Sequence, residues 1–169
     1  MRDLRKRHIY LPVIFGALTP SLVIFVLGVF VGHVSPIRSA VSILEKQFAA
    51  GENLFLIMVF GFIPFAILIG LTALLSRTIK GQRLDCLFVG GLVGILVLMV
   101  LGHVAAWYPL YGGGHMSSTA VIAFFFIPFY CIAAMSIGLL IGWVISRLPF
   151  FRKEIGGKYV EQVHPADRP

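Results

Sequence analysis

The chain is a series of four long apolar stretches separated by short polar links. The stretches run from Tyr10 to Gly32, Leu54 to Leu75, Leu84 to Ala106 and Thr119 to Leu148. Each reaches the length of about 20 residues that carries a helix across hydrocarbon. Their apolar residues are continuous and do not alternate, which excludes barrel strands of about ten residues with period two. In lipid the backbone has no water to bond to, so a spanning segment satisfies its own N–H and C=O groups as a helix. The pattern predicts an all-α integral membrane protein, a four-transmembrane-helix bundle. The first stretch follows MRDLRKRH and has the outline of a secretory signal. Its apolar run exceeds the usual limit of about 15 residues and no small-x-small cleavage site follows, so it reads as a retained first helix.

Composition agrees. Hydrophobic residues make up 59% of the chain and charged residues 12%, against about 25% charged in a soluble domain. The net charge of +7 would suggest nucleic acid in a soluble protein. Here the basic residues flank the apolar runs, so the charge reads as topological and nucleic acid is no expected partner. Arg2, Arg5, Lys6 and Arg7 precede span 1, Arg77, Lys80 and Arg83 link spans 2 and 3, and Arg147, Arg152, Lys153 and Lys158 follow span 4. The opposite side carries only Arg38 and Lys46, offset by Glu45 and Glu52. The positive-inside rule then predicts both termini in the cytoplasm, in a bacterial cytoplasmic (inner) membrane. Trp107, Tyr108 and Tyr111 form an aromatic cluster at the opposite interface. Cys86 and Cys131 form no CxxC and read as small packing residues.

These features divide the chain into four parts. Residues 1–9 are a basic cytoplasmic N-terminus. Residues 10–78 form a first hairpin with an outer link at 35–53, and residues 79–149 a second with an outer glycine-rich loop at 107–118. Residues 150–169 are a polar cytoplasmic tail. In the link, Ile37, Val41, Leu44 and Phe48 recur at helical spacing and predict a short amphipathic helix on the outer surface.

The two hairpins resemble each other. Gly-His-Val occurs at 32–34 and 102–104, Ser-Arg at 76–77 and 146–147, both 70 residues apart. Phe60-Gly61-Phe62-Ile63-Pro64-Phe65 and Phe124-Phe125-Phe126-Ile127-Pro128-Phe129 match at five of six positions, 64 residues apart. The common order suggests a duplicated hairpin, two parallel repeats about an axis along the membrane normal. That symmetry would put His33 and His103 at equal depth.

Small residues recur four apart: Gly28 and Gly32 in span 1, Gly90 and Gly94 in span 3, and Ala134, Gly138, Gly142 and Ser146 in span 4. Such stripes let helix backbones approach in lipid. We expect the span 4 stripe to face the bundle core, with a partner helix as the alternative, and Gly138 and Gly142 to accept Ala better than Leu. Pro64 and Pro128 each remove a helical hydrogen bond and predict kinks.

Candidate chemistry is sparse. No Asp, Glu, Lys or Arg lies in the central part of any span, which argues against an ion pump or a charged-substrate transporter. It also argues against an intramembrane aspartyl protease; lipoprotein signal peptidases have a similar size, but their paired aspartates have no counterpart here. His33, His103 and His115 remain as a candidate metal set, since neutral imidazole is the commonest metal ligand; three suit zinc or copper, and a facing pair suits haem. The competing explanation is that His33 and His103 end their helices, where the dipole favours them. A serine hydrolase at Ser117 or Ser118 with His115 would have only Glu45 and Glu52 as nearby acids; a helix cap is the simpler role. The expected function is therefore a non-enzymatic accessory or assembly subunit, held in the bilayer and bound to another membrane protein or to itself. The alternatives are a metal- or haem-binding membrane protein using the outer histidines, and a protective protein similar in size and threading to four-span bacteriocin-immunity proteins.

Overall fold

A computed structural model describes residues 6–46, 54–113 and 118–148. These form six helices: α1 (Arg7–Phe30), α2 (Pro36–Lys46), α3 (Leu54–Gly61), α4 (Ile63–Leu75), α5 (Gln82–Tyr111) and α6 (Ser118–Arg147), with no strand among the described residues. Helices α3 and α4 together make one span, so four apolar segments are long enough to cross a membrane. The protein is an all-α bundle of the integral-membrane kind. Around it the order is α1, α5, α6 and the α3–α4 pair, and α5 against α6 is the closest contact. Ile24, Phe65, Leu68, Phe88, Ile95, Met99 and Cys131 fill the centre. Most other apolar side chains point outward, as lipid-facing helices require.

The glycines explain the tight pair. A Cβ at Gly90 would fall on the carbonyl oxygen of Gly138, and one at Gly138 on that of Gly90. Gly94 meets the carbonyl of Ala134 and Gly142 that of Cys86 in the same way. The span 3 and span 4 stripes thus face each other, backbone on backbone. Gly28 and Gly32 serve differently: they make room for the Ser39 hydroxyl on α2 and the Tyr111 ring at the end of α5.

The repeated motifs take different structures, and the sequence around each gives the reason. After the first Gly-His-Val comes Ser35-Pro36; proline disfavours the helical region for its predecessor. Helix α1 closes at Phe30, His33 stands in the left-handed region at φ 52°, and Pro36 opens α2. After the second comes Ala105-Ala106, strong helix formers, and α5 continues to Tyr111, taking in the start of the segment expected as the 107–118 loop. The proline motifs also diverge. Their single mismatch is Gly61 against Phe125, and Gly61 is where α3 ends, whereas α6 runs unbroken through Pro128. The interruption at Phe62 is slight. Phe62 keeps helical dihedrals, donates to the Met58 carbonyl at 3.0 Å and accepts from the Ala66 N–H at 3.0 Å.

Helices α1 and α5 are parallel and their depth register is fixed at both ends. His8 meets Asp85, 77 residues apart, and Gly32 meets Tyr111, 79 residues apart (positions 32 and 111). The register therefore departs from the 70-residue spacing of the triplets. His33 lies level with the end of α5, while His103 is eight residues deeper, about 12 Å along the axis. Equal depth for the two histidines is not what the helices adopt.

The α2 helix forms within the expected outer link. Ser39 is its buried residue, facing α1, and Ile37, Val41 and Leu44 are exposed. The apolar face thus turns away from the bundle, as an interfacial helix turns its apolar face toward lipid. Phe48, His115, Ser117 and the 150–169 tail lie outside the described residues.

The backbone contact between α5 and α6 makes a sharper expectation than Ala over Leu. Gly90→Ala and Gly138→Ala should each cost on the order of 1–3 kcal/mol, as overpacking does. Gly70, which has nothing within 4 Å of a built Cβ, should accept Ala with unchanged or slightly raised stability. Thermal unfolding in detergent checks all three; equal melting temperatures for Gly138→Ala and Gly70→Ala would refute the close approach.

Candidate functional site

Two helices that touch at the backbone leave a valley along their outer side. On α5 and α6 this valley is a groove of about 640 Å³. Its floor is Gly90, Gly94, Gly138 and Gly142, and its walls are Val89, Val93 and Val97 on one side and Ile137, Ile141 and Ile145 on the other. Each wall repeats every four residues, so it forms a ridge. All six wall residues are β-branched, with one strongly preferred χ1 rotamer in a helix. The groove is therefore stiff as well as apolar.

One end of the groove is polar. Arg7 and Asp85 lie on its lining and form an ion pair. Behind them His8, 1% exposed, bonds through Nε2 to Asp85 Oδ1 at 3.0 Å. A carboxylate only accepts, so that ring nitrogen carries the proton and donates. The His8 ring also meets Phe88 edge-on, with centroids 4.6 Å apart. Its Nδ1 has no hydrogen-bond partner among the described residues. Asp85 sits in the first turn of α5, where the helix dipole favours a negative charge. The network ties the start of α1 to the start of α5 and leaves Arg7 half exposed at the groove mouth.

Sequence reasoning did not single out His8 or Asp85. A signal existed: Asp85 is the only acidic residue within the four spans, and an ionisable group at that depth calls for a named partner.

The expected metal set is not assembled by the described residues. His33 is exposed at the turn after α1, His103 is 1% exposed inside the bundle, and His115 lies outside the described residues. Among the described residues no three metal-ligating side chains converge. His103 lies on the buried stripe of α5, 5.9 Å from the Phe124 ring. Neither of its ring nitrogens has a hydrogen-bond partner among the described residues. Gly90, Gly94, Gly138 and Gly142 lie between α5 and α6, at the floor of the outer groove.

The two buried histidines should respond oppositely to replacement. Asp85→Ala strips His8 of its acceptor and should cost about 1–3 kcal/mol, the penalty for stranding a buried polar group. His103→Leu removes unsatisfied nitrogens for similar volume and should leave the melting temperature unchanged or raise it. A large loss in His103→Leu would reveal a hydrogen-bond partner or ligand for that ring. Comparison of the chain with protein-family models, with curated proteins and with solved structures returns no match.

Proposed function

We propose that this is a non-enzymatic accessory or assembly protein of a bacterial cytoplasmic membrane, which seats a transmembrane helix of another membrane protein in the groove between α5 and α6. The observation that carries the reading is the groove itself, a glycine floor between two stiff β-branched ridges. In lipid there is no hydrophobic gain from helix association; packing and interhelical polar contacts drive it. A concave surface gives a docked helix more contacts than a convex one does. Ridges already fixed in χ1 lose little rotamer freedom when they pack. A flexible acyl chain entering the same valley would have to be ordered along its length. The Arg7–Asp85 pair offers a polar contact to a residue where the docked helix leaves the membrane.

Both termini are proposed to be cytoplasmic. Among the described basic residues, Lys6, Arg7, Arg77, Lys80, Arg83 and Arg147 gather at one end of the bundle and only Arg38 and Lys46 lie at the other, as the positive-inside bias requires. A reporter active only outside the cytoplasm should be active when fused after Gly113 and silent when fused after Lys80. The reverse pattern would overturn the orientation.

The docking reading is tested by photo-crosslinking in intact membranes. A photoreactive residue at Val93 or Ile141, within the groove, should give one discrete protein adduct. The same residue at Leu140 or Leu22, exposed elsewhere on the bundle, should give none. An adduct of twice the chain mass would make the partner a second copy. Identical adduct patterns inside and outside the groove would remove the reading.

A further inference from the structure

A second hollow, of about 440 Å³, opens at the basic end of the bundle on a different face from the groove. It lies between the link from α4 to α5 and the last turn of α6. Lys80, Arg83 and Arg147 line it, with no carboxylate among its described lining. Trp143 forms one wall, and the Arg147 guanidinium stacks on its ring 4.3 Å from the centroid. Ile79 and Leu87 supply apolar lining. The hydroxyls of Thr78 and Ser146 donate to the carbonyls of Leu75 and Trp143, so their protons are already committed. The partners for an incoming group are the Arg83 and Arg147 guanidinium groups, with the Lys80 charge beside them, and that group is an anion. The N-terminus of α5, preceded by Gly81 at φ 67°, adds the positive end of a helix dipole beside them.

The geometry points to a binding site for the phosphate headgroup of an anionic phospholipid. The charge calls for phosphate, and the surroundings select a lipid over free phosphate. The hollow lies where three spans end, so it sits at the depth of lipid headgroups. A stacked Trp–Arg pair is suited to that boundary: the ring is amphipathic and the guanidinium is a planar donor for phosphate oxygens. Basic pockets between helices at a membrane surface hold anionic headgroups by this arrangement. Acyl chains would continue from the headgroup along the apolar outer surface of the bundle. The site does not depend on the helix-docking reading, because none of its residues lines the groove.

Native mass spectrometry of the purified full-length protein tests it, with phosphatidylglycerol, phosphatidylcholine and inorganic phosphate added separately. Phosphatidylglycerol should bind tighter than phosphatidylcholine, and inorganic phosphate should fail to displace it. Arg83→Gln and Arg147→Gln should each weaken phosphatidylglycerol binding about fivefold, the contribution of one basic residue near an anionic headgroup. Arg83→Lys should restore most of it. Lys6→Gln, which removes a charge from the same end outside the hollow, should leave it unchanged. Arg83 and Arg147 are exposed, so their replacement spares the fold, which an unchanged melting temperature verifies. Equal binding of the two lipids, equal weakening by Lys6→Gln, or displacement by inorganic phosphate would each overturn the assignment.

Discussion

The bundle depends most on one contact, the approach of α5 and α6 until the carbonyl of each stands where a side chain of the other would be. In water such a contact would be a minor addition to hydrophobic burial. In lipid the surroundings of a separated helix are as apolar as the interior of the bundle, so van der Waals contact between closely fitted surfaces becomes the main source of association. Glycine spaced four apart is the simplest way to obtain it, because it removes the atoms that would hold the two backbones apart. Gly90 against Gly138, and Gly94 against Ala134, do this over two successive turns. The remaining helices then pack around a rigid pair.

The same approach generates both hollows. Bringing two cylinders together sharpens the valley on their outer side, and the β-branched residues flanking the glycines become its walls. At the basic end it brings the last turn of α6, with Trp143 and Arg147, beside the first turn of α5, with Arg83. A looser pair would leave these groups on separate helices facing lipid or water. Packing, groove and cationic hollow therefore share one cause, and changes at the glycine seam should be felt at both candidate sites.

Most of the fold was legible because the membrane leaves few choices. Continuous apolar runs of spanning length have to be helices, and stripes of small residues have to face something. The amphipathic link was legible from its spacing, although it turns Ile37, Val41 and Leu44 outward, since beside a bilayer the outside is also apolar. The inferred equivalence of the two Gly-His-Val triplets was the weakest step. A triplet does not determine its own conformation; the first lies in the turn between α1 and Pro36, and the second lies within a helix that Ala105-Ala106 prolongs. His8 and Asp85 were obscured for a different reason. Their pairing joins the ends of two spans 77 residues apart, and nothing local to either residue announces it beyond the isolation of the one acid in an apolar run.

That pairing shows how little polar chemistry suffices to fix geometry in such a protein. Parallel apolar helices can slide past one another at small cost, because each displaced contact is replaced by a similar one. A buried histidine bonded to a carboxylate cannot slide without losing its partner, and its Nε2 would be left among apolar groups such as the Phe88 ring. The His8–Asp85 bond, backed by Arg7, therefore holds α1 in one register on α5. At the far end Tyr111 settles over Gly32, where a larger residue would press on its ring. Apolar packing provides the attraction between these helices, and a few directional groups at their two ends decide the depth at which it acts. The register they select sets His103 about two turns below the level of His33, which is why two identical triplets on parallel helices do not make one site.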